Sequence, residues 1–408
     1  MGSITLFSVG FTKYKPNPSA VERHIDMKRA TLNKVLSEVG DYYENDGTKL
    51  APAVAFHPAT VYSDPTWLAK EREMIRRYPV IVGHSSKIKA PGDFFTDDST
   101  GVPIIVVRQN DGSVRVLINI CRHRGAKVCN QATGTRRLFV CPYHGWSYKS
   151  DGSLLKIPRE EGFLDLDMQD HGLTALPAEE RHGFIWVVAI PGATIDVAAH
   201  LGEMDAEIAS YGTAEMVLER ETVLAERLNW KFVLDGFLEV YHLDCLHTKT
   251  VSPYFHSRYS TYDEFGINGR LIGIGKSFDA VRASASERET SELKKHFSIN
   301  YLIFPNTILL WQGDHFECWT SFPGENPDQC SVHIQSVTPS AMVGSEFQNK
   351  WDKNWKFLIG TVVDEDWAVA KTVQKSFHAV PNSEVVFGRN EPGLQHFYGQ
   401  LEKEVAKR

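Results

Sequence analysis

Cys121 and His123 form a C-x-H pair, and Cys141 and His144 form a C-x2-H pair a short distance downstream. Each half offers one thiolate and one imidazole. Thiolates are strong electron donors and imidazoles are neutral, so such a set can hold two iron atoms unequally. Cys121 and Cys141 would hold an inner iron, and His123 and His144 an outer iron nearer the surface. Replacing two thiolates by two imidazoles on one iron of a [2Fe-2S] cluster removes negative charge and raises its potential by several tenths of a volt. Two Cys and two His are also a zinc set, but zinc sites normally pair like with like, as C-x-x-C and H-x3-5-H. Cys129 fits neither pair and reads as a small buried hydrophobe.

A second group of metal-binding residue types follows the run Asn229-Trp230-Lys231. If Asn229 to about Tyr241 is a regular helix at about 100° per residue, Asp235, Glu239 and His242 share one stripe. Their neighbours Phe232, Val233, Leu234, Phe237, Leu238 and Val240 are apolar, which turns the stripe inward. His242 and His247 would then point about 140° apart. They meet at one metal only if the helix ends or widens just after His242, as a π-bulge allows. By itself an H-x4-H pair is weak evidence of a site. A third ligand would come from Asp364-Glu365-Asp366. With Val363 as helix origin, Ala370, Val373 and Phe377 form an apolar stripe on which Asp366 falls and Asp364 and Glu365 do not. A carboxylate on a buried face needs a partner; helix capping by the three acids is the alternative.

Gly145, Trp146, Tyr148 and Asp151-Gly152 continue the second Cys/His half in a way that resembles Rieske proteins. The run from Asn229 to His247 resembles the N-W-K, D/E-x-x-x-E/D-x-Y-H-x4-H pattern of Rieske non-heme iron oxygenases, the ring-hydroxylating alpha subunits among them. Asp366 with Gln374 resembles the D-x7-Q segment of the same family. The resemblance implies an α+β chain: an all-β Rieske [2Fe-2S] domain followed by a helix-grip catalytic domain with an antiparallel sheet. It implies Fe(II) on His242, His247 and Asp366, with positions left open for O2. Glu239, with Asp235 near it, takes the catalytic role of linking His242 to the cluster histidine of a neighbouring subunit. A head-to-tail homotrimer is implied, as are electrons from NAD(P)H through a separate reductase, with or without a ferredoxin and a small beta subunit. Many relatives have Asn where this chain has Gly236.

Aromatic ring hydroxylation is the leading reaction on this reading, with a wall drawn from Phe237, Leu243, Ile308, Leu310, Phe316 and Trp319, which can equally be core. A monooxygenase of quaternary ammonium or N-methyl compounds is the nearest rival, because Glu rather than Asp at 239 resembles those members. Trp311 and Trp319 would then serve an aromatic cage. A Rieske electron carrier without catalysis would leave Asp366 and the histidine pair unexplained. Arg122, Arg124 and Lys127 suit an acidic electron donor or an ordinary solvated surface.

The elements that must position these groups divide into an arm (1–50), a Rieske unit (51–192) and a catalytic unit (193–408). Ala20 to Val39 reads as a charged helix of the arm, and Asp64-Pro65 as the start of a helix running to Arg77. Alternating runs at Pro79–Gly83, Pro103–Gln109, Val114–Ile120, Leu138–Cys141 and Phe184–Ile190 read as strands of the all-β unit. Met216–Glu226, Gly266–Phe278 and Tyr301–Val337 supply an antiparallel sheet, and Ser345–Phe377 and Leu394–Lys407 helices. Strands grouped with helices, without βαβ alternation, give an α+β unit. A chain of 408 residues with 42% hydrophobic content and a net charge of −7 is an ordinary globular composition. That charge excludes nucleic acid as main partner, and no apolar run is long enough for a membrane span. The apolar patch at Met1–Phe11 lacks a basic n-region, so the chain reads as cytoplasmic. Six cysteines give no disulfide framework.

Overall fold

In the computed structural model, which describes residues 29–45 and 47–407, the strands form two main β scaffolds. The Met1–Phe11 patch and the first part of the expected arm helix lie outside the described residues.

The first scaffold joins three small sheets. A five-stranded sheet has the order Ala175–Leu176, Val114–Ile118, Ile104–Arg108, Asp93–Asp97, Thr133–Thr135. Val80–His84 pairs with Phe184–Val187 in a second sheet, and Leu138–Val140, Ser147–Lys149 and Leu154–Lys156 form the third. The five strands expected from alternation are present, each ending within about three residues of the expected bound. The short strands at 93–97, 147–149 and 154–156 carried too little alternation to be read. A separate core of Phe94, Ile105, Val107, Leu117, Phe139, Trp146 and Tyr148 fills the tip where the Cys/His loops sit.

The second scaffold is a seven-stranded antiparallel sheet in the order Met216–Glu226, Cys330–Pro339, Phe316–Pro323, Thr307–Trp311, Phe297–Ile303, Asn268–Gly275, Phe255–Phe265. Met216–Glu226 has the bounds the sequence implied; Phe255–Phe265 had not been expected. Successive side chains alternate between faces, so the sheet separates two cores. Ile299, Tyr301, Leu309, Trp311, Phe316 and Cys318 pack on one side, with Met204, Ile208 and Tyr211. Leu302, Ile308, Leu310, Trp319 and Ile334 pack on the other, under Leu234, Leu238, Leu358, Trp367 and Phe397. Among the described residues no helix is long and apolar enough to cross a membrane.

The helix Arg29–Asn45 lies against the first face: Leu32, Val35 and Val39, a helically spaced stripe among the charges, are buried there. Lys34 pairs with Asp263, which also receives the buried Arg270. Helix Pro65–Arg76 starts as expected, with Pro65 in its first turn and the Asp64 side chain accepting from Thr66 N–H. The two scaffolds are tied by Leu218 N–H donating to Ser86 Oγ (2.8 Å), by Lys87 with Glu221 (2.6 Å), and by Ser99 with His333 (2.9 Å).

The helix expected from Asn229 to Tyr241 is not continuous. It runs only over Lys231–Asp235, and a second short helix covers Leu243–Leu246. Tertiary contacts override local preference here. Asn300 Nδ2 takes the Phe237 carbonyl (2.6 Å), and the Glu239 carboxylate takes the N–H groups of Tyr241 and His242. Of the two ways expected for His242 and His247 to meet, an ended or a widened helix, the chain uses the first but earlier than expected, at Asp235; a π turn lies on another helix, where Gln348–Thr361 passes through Val362–Asp366 into Trp367–Ala379.

Candidate metal centres

The two Cys/His loops are built alike. Cys121 N–H donates to Ala126 O (2.8 Å) while its carbonyl accepts from Gly125 N–H (2.9 Å); Cys141 N–H donates to Trp146 O (2.8 Å) while its carbonyl accepts from Gly145 N–H (3.0 Å). Each loop needs a residue at positive φ to close, and Gly125 (φ 77°) and Gly145 (φ 74°) supply it. At Gly145 a Cβ would also press on Pro158 at 3.1 Å.

The loops bring the four expected residues together. Cys121 and Cys141 are buried and His144 is exposed, which suits an inner pair of thiolates and an outer imidazole. The His123 and His144 rings lie 4.7 Å apart, and Trp146 stacks on His123 at 5.0 Å. Burial pushes the Cys141 thiol up, and the adjoining Cys121 adds to this. Tyr148 Oη stands 3.2 Å from Cys121 Sγ and accepts from Arg122 N–H. His123 Nδ1 is buried without a hydrogen-bond partner among the described residues, a cost that a metal bond removes. Two buried thiols, two rings and this orphaned nitrogen fit a [2Fe-2S] centre with mixed ligands. Cys129 is buried beside Asn119 and belongs to the core, as expected. Of the basic residues near the loops, Lys127 pairs with Asp98 (2.6 Å) and Arg124 lies over the Tyr143 ring.

The second site is assembled from the broken segment and the π turn. His242, His247 and Asp366 each offer one ligand atom, and these atoms lie within 4.8 Å of one another. Asp366 Oδ1 is 3.0 Å from His247 Nε2 and 3.5 Å from His242 Nε2. Burial alone would lower the His247 pKa, but Asp366 and Glu365 outweigh it and hold it above the usual value. Two imidazoles and one carboxylate on one side of a common point fit an iron that keeps open positions.

Glu239 lies where the family pattern places it, its carboxylate on His242 Nδ1. The shared stripe with Asp235 is a correction: with the helix ended at Asp235, that carboxylate turns away to Tyr62 Oη (2.8 Å) and Tyr398 Oη (3.1 Å). Burial raises the Asp235 pKa to about 7 against the pull of both hydroxyls. Gly236 sits beside Asp366, where a Cβ would stand 3.7 Å from Oδ1. The amide that the family resemblance led to expect at this position is therefore absent beside Asp366. Gln374 is buried and clamps the start of the segment: its Oε1 accepts from Asn229 N–H (3.0 Å) and its Nε2 donates to Tyr62 O (3.0 Å).

Sequence reasoning missed two acids. Glu365, expected to point outward, holds His247 Nδ1 at 2.6 Å, because the π turn shifts the regular-helix phase. Glu391, far along the chain, accepts from Gly388 N–H, and burial first, with the Glu239 charge adding to it, raises its pKa. Neither has a local signal; only the contact across elements reveals them. The proposed wall is corrected too. Ile308, Leu310 and Trp319 share the sheet face toward Phe237, whose ring is 5.2 Å from Trp319. Phe316 and Trp311 pack in the opposite core, so Trp311 and Trp319 cannot form one cage.

Comparison with known proteins agrees with this geometry. Residues 78–172 match the family model of the Rieske [2Fe-2S] domain, and residues 214–407 match that of the ring hydroxylating alpha subunit catalytic domain. The chain is 34% identical to the glycine betaine monooxygenase oxygenase subunit of Chromohalobacter salexigens over 197 residues, which are 48% of this chain and 44% of that one. It is 34% identical to the biphenyl 2,3-dioxygenase subunit alpha of Rhodococcus jostii over 279 residues, 64% of this chain and 55% of that one. The chain thus spans about half the length of the curated relatives it matches. Its fold is shared with a quaternary ammonium Rieske monooxygenase (TM-score 0.75, 19% identity, 87% and 97% of the two chains). It is shared also with naphthalene 1,2-dioxygenase from Rhodococcus sp. (TM-score 0.71, 19% identity, 93% and 98%). Two consecutive family matches over two differently built metal-fit sites leave one conclusion: the chain belongs to the Rieske oxygenase alpha subunits, whose cofactors are a Rieske [2Fe-2S] cluster and a mononuclear iron.

Proposed function

We propose that this protein is an oxygenase that uses O2 and electrons from NAD(P)H, delivered by a reductase, to hydroxylate an organic and, in the leading reading, aromatic substrate. The observation that carries this is the convergence of His242, His247 and Asp366, two nitrogens and one carboxylate with no fourth His, Cys, Asp or Glu grouped with them among the described residues. Cys121, Cys141, His123 and His144 are the cluster ligands in this reading, and His242, His247 and Asp366 hold Fe(II). When bound, the cluster supplies one-electron transfer and the iron supplies oxygen activation.

The chain's own residues hold and orient these groups. Glu239 fixes the His242 ring through Nδ1, which leaves Nε2 turned toward Asp366. Glu239 also serves as the bridge to His144 of the partner subunit in a head-to-tail homotrimer, since His144 is exposed at the tip of its domain. Ile308, Leu310 and Trp319 are core residues packed against Phe237, and an apolar surrounding of this kind in the catalytic unit suits an apolar substrate better than a charged one. A quaternary ammonium or N-methyl substrate is the second reading, supported by Glu at 239 and by the glycine betaine relative.

Oxygen uptake across a panel of aromatic acids and betaines, with a surrogate reductase, tests this. Uptake that depends on an aromatic compound and yields a hydroxylated product supports the leading reading. Uptake with betaines alone replaces it by the second, and cluster reduction without uptake on any compound refutes both.

A further inference from the structure

We propose that Glu365 is a positioning residue that fixes the ring orientation and tautomer of His247, giving the second imidazole of the site its own carboxylate just as Glu239 serves the first. This rests on reading His242, His247 and Asp366 as the iron ligands. The geometry is unusual for adjacent residues. Side chains one apart on an α-helix diverge by about 100°, yet Glu365 and Asp366 both reach the same ring, Glu365 at Nδ1 (2.6 Å) and Asp366 at Nε2 (3.0 Å). The π turn at Val362–Asp366 widens the backbone enough to make this possible.

Glu365 is itself held. Its Oε2 also accepts from Thr250 Oγ1 (2.8 Å), and Thr250 N–H donates to the His247 carbonyl (3.2 Å). The carboxylate therefore grips both the ring and the turn that follows it. Asp364 takes no part: it is exposed, its Oδ2 lying over Gly360. A neutral imidazole carries one N–H. Donating it from Nδ1 to Glu365 leaves the Nε2 lone pair free for a metal, and a carboxylate partner makes that nitrogen a better donor. With the ring locked on one edge by Glu365, His247 cannot turn Nε2 away from Asp366.

The test uses the full-length protein with its cluster intact, the mononuclear metal removed by a chelator, and Fe(II) or Co(II) added back. Glu365→Ala should weaken metal binding by about 10–100-fold, the range usual for such outer carboxylates. Glu365→Gln should recover most of the affinity, because its amide oxygen still accepts from Nδ1–H, and Asp364→Ala should match the wild type. The ligand-field absorption of bound Co(II) should change in Glu365→Ala and return in Glu365→Gln. Wild-type affinity and spectrum in Glu365→Ala, or a Gln variant no better than Ala, overturns the proposal. If the wild type binds no metal, or Asp366→Ala still binds it, the ligand assignment itself fails and this inference with it.

Discussion

Glu71 and Lys231 are both fully buried, and their 2.7 Å ion pair anchors the first turn of the segment that carries His242 and His247. The Glu71 carboxylate also accepts from the indoles of Trp67 (2.7 Å) and Trp230 (2.8 Å). Glu71→Gln would leave the Lys231 ammonium uncompensated in a site where burial already lowers its pKa. Removing one partner of a buried pair costs ~3–5 kcal/mol. At roughly 2–4 °C per kcal/mol for a domain of this size, the catalytic-domain transition should fall by roughly 6–20 °C. Differential scanning calorimetry reads the shift, and the visible spectrum of the cluster before heating shows that the variant is folded. Lys231→Met in the Glu71→Gln background should restore part of the loss, since it removes the uncompensated ammonium and leaves a neutral amide that can still accept from the indoles of Trp67 and Trp230. A shift below about 2 °C in the single variant, or no recovery in the double, refutes the assignment of this pair as the anchor.

Glu239→Gln should keep both metal sites filled and lose most turnover: stopped-flow should show rapid cluster reduction by the reductase and very slow substrate-dependent reoxidation. Wild-type reoxidation, or an active monomer, removes the inter-subunit route. Asp235 has a folded pKa of about 7 against about 3.9 in an unfolded chain. The folded state therefore holds the proton longer, and the Asp235 contribution to stability falls as pH rises from about 4 to about 7. Melting temperatures of Asp235→Asn minus wild type should accordingly increase between pH 5 and pH 8, and an unchanged difference contradicts the shift.

The proposed ligands were legible as candidates because ligand chemistry restricts residue type and spacing. Cys121, His123, Cys141 and His144 occupy two short loops whose geometry is local, down to the glycine that closes each. Asp366 was legible through the apolar stripe of the helix that follows it. Glu365 was not, because a regular phase was carried through a π turn that nothing in Val362–Asp366 announces. The break after Asp235 was hidden for a similar reason: apolar residues continue through Leu238, and the groups that end the helix, Asn300 and the Glu239 side chain, act across space or after the turn has formed. Trp311 and Trp319 looked alike in sequence, yet strand parity puts them on opposite faces. Asn229, Lys231 and Gln374, legible only as motif letters, turn out to be a buried polar lock that holds the site in place.

The central claim is that one chain holds a mixed-ligand cluster and, separately, an iron on His242, His247 and Asp366. Iron and acid-labile sulfide determination on wild type and Asp366→Ala, paired with electron paramagnetic resonance of the reduced proteins, tests it most directly. The account predicts about three irons and two sulfides per chain in the wild type. It predicts about one iron fewer in Asp366→Ala, with an unchanged cluster signal of low average g value. Stoichiometric zinc without sulfide, or an Asp366→Ala protein with its full iron content, would contradict it.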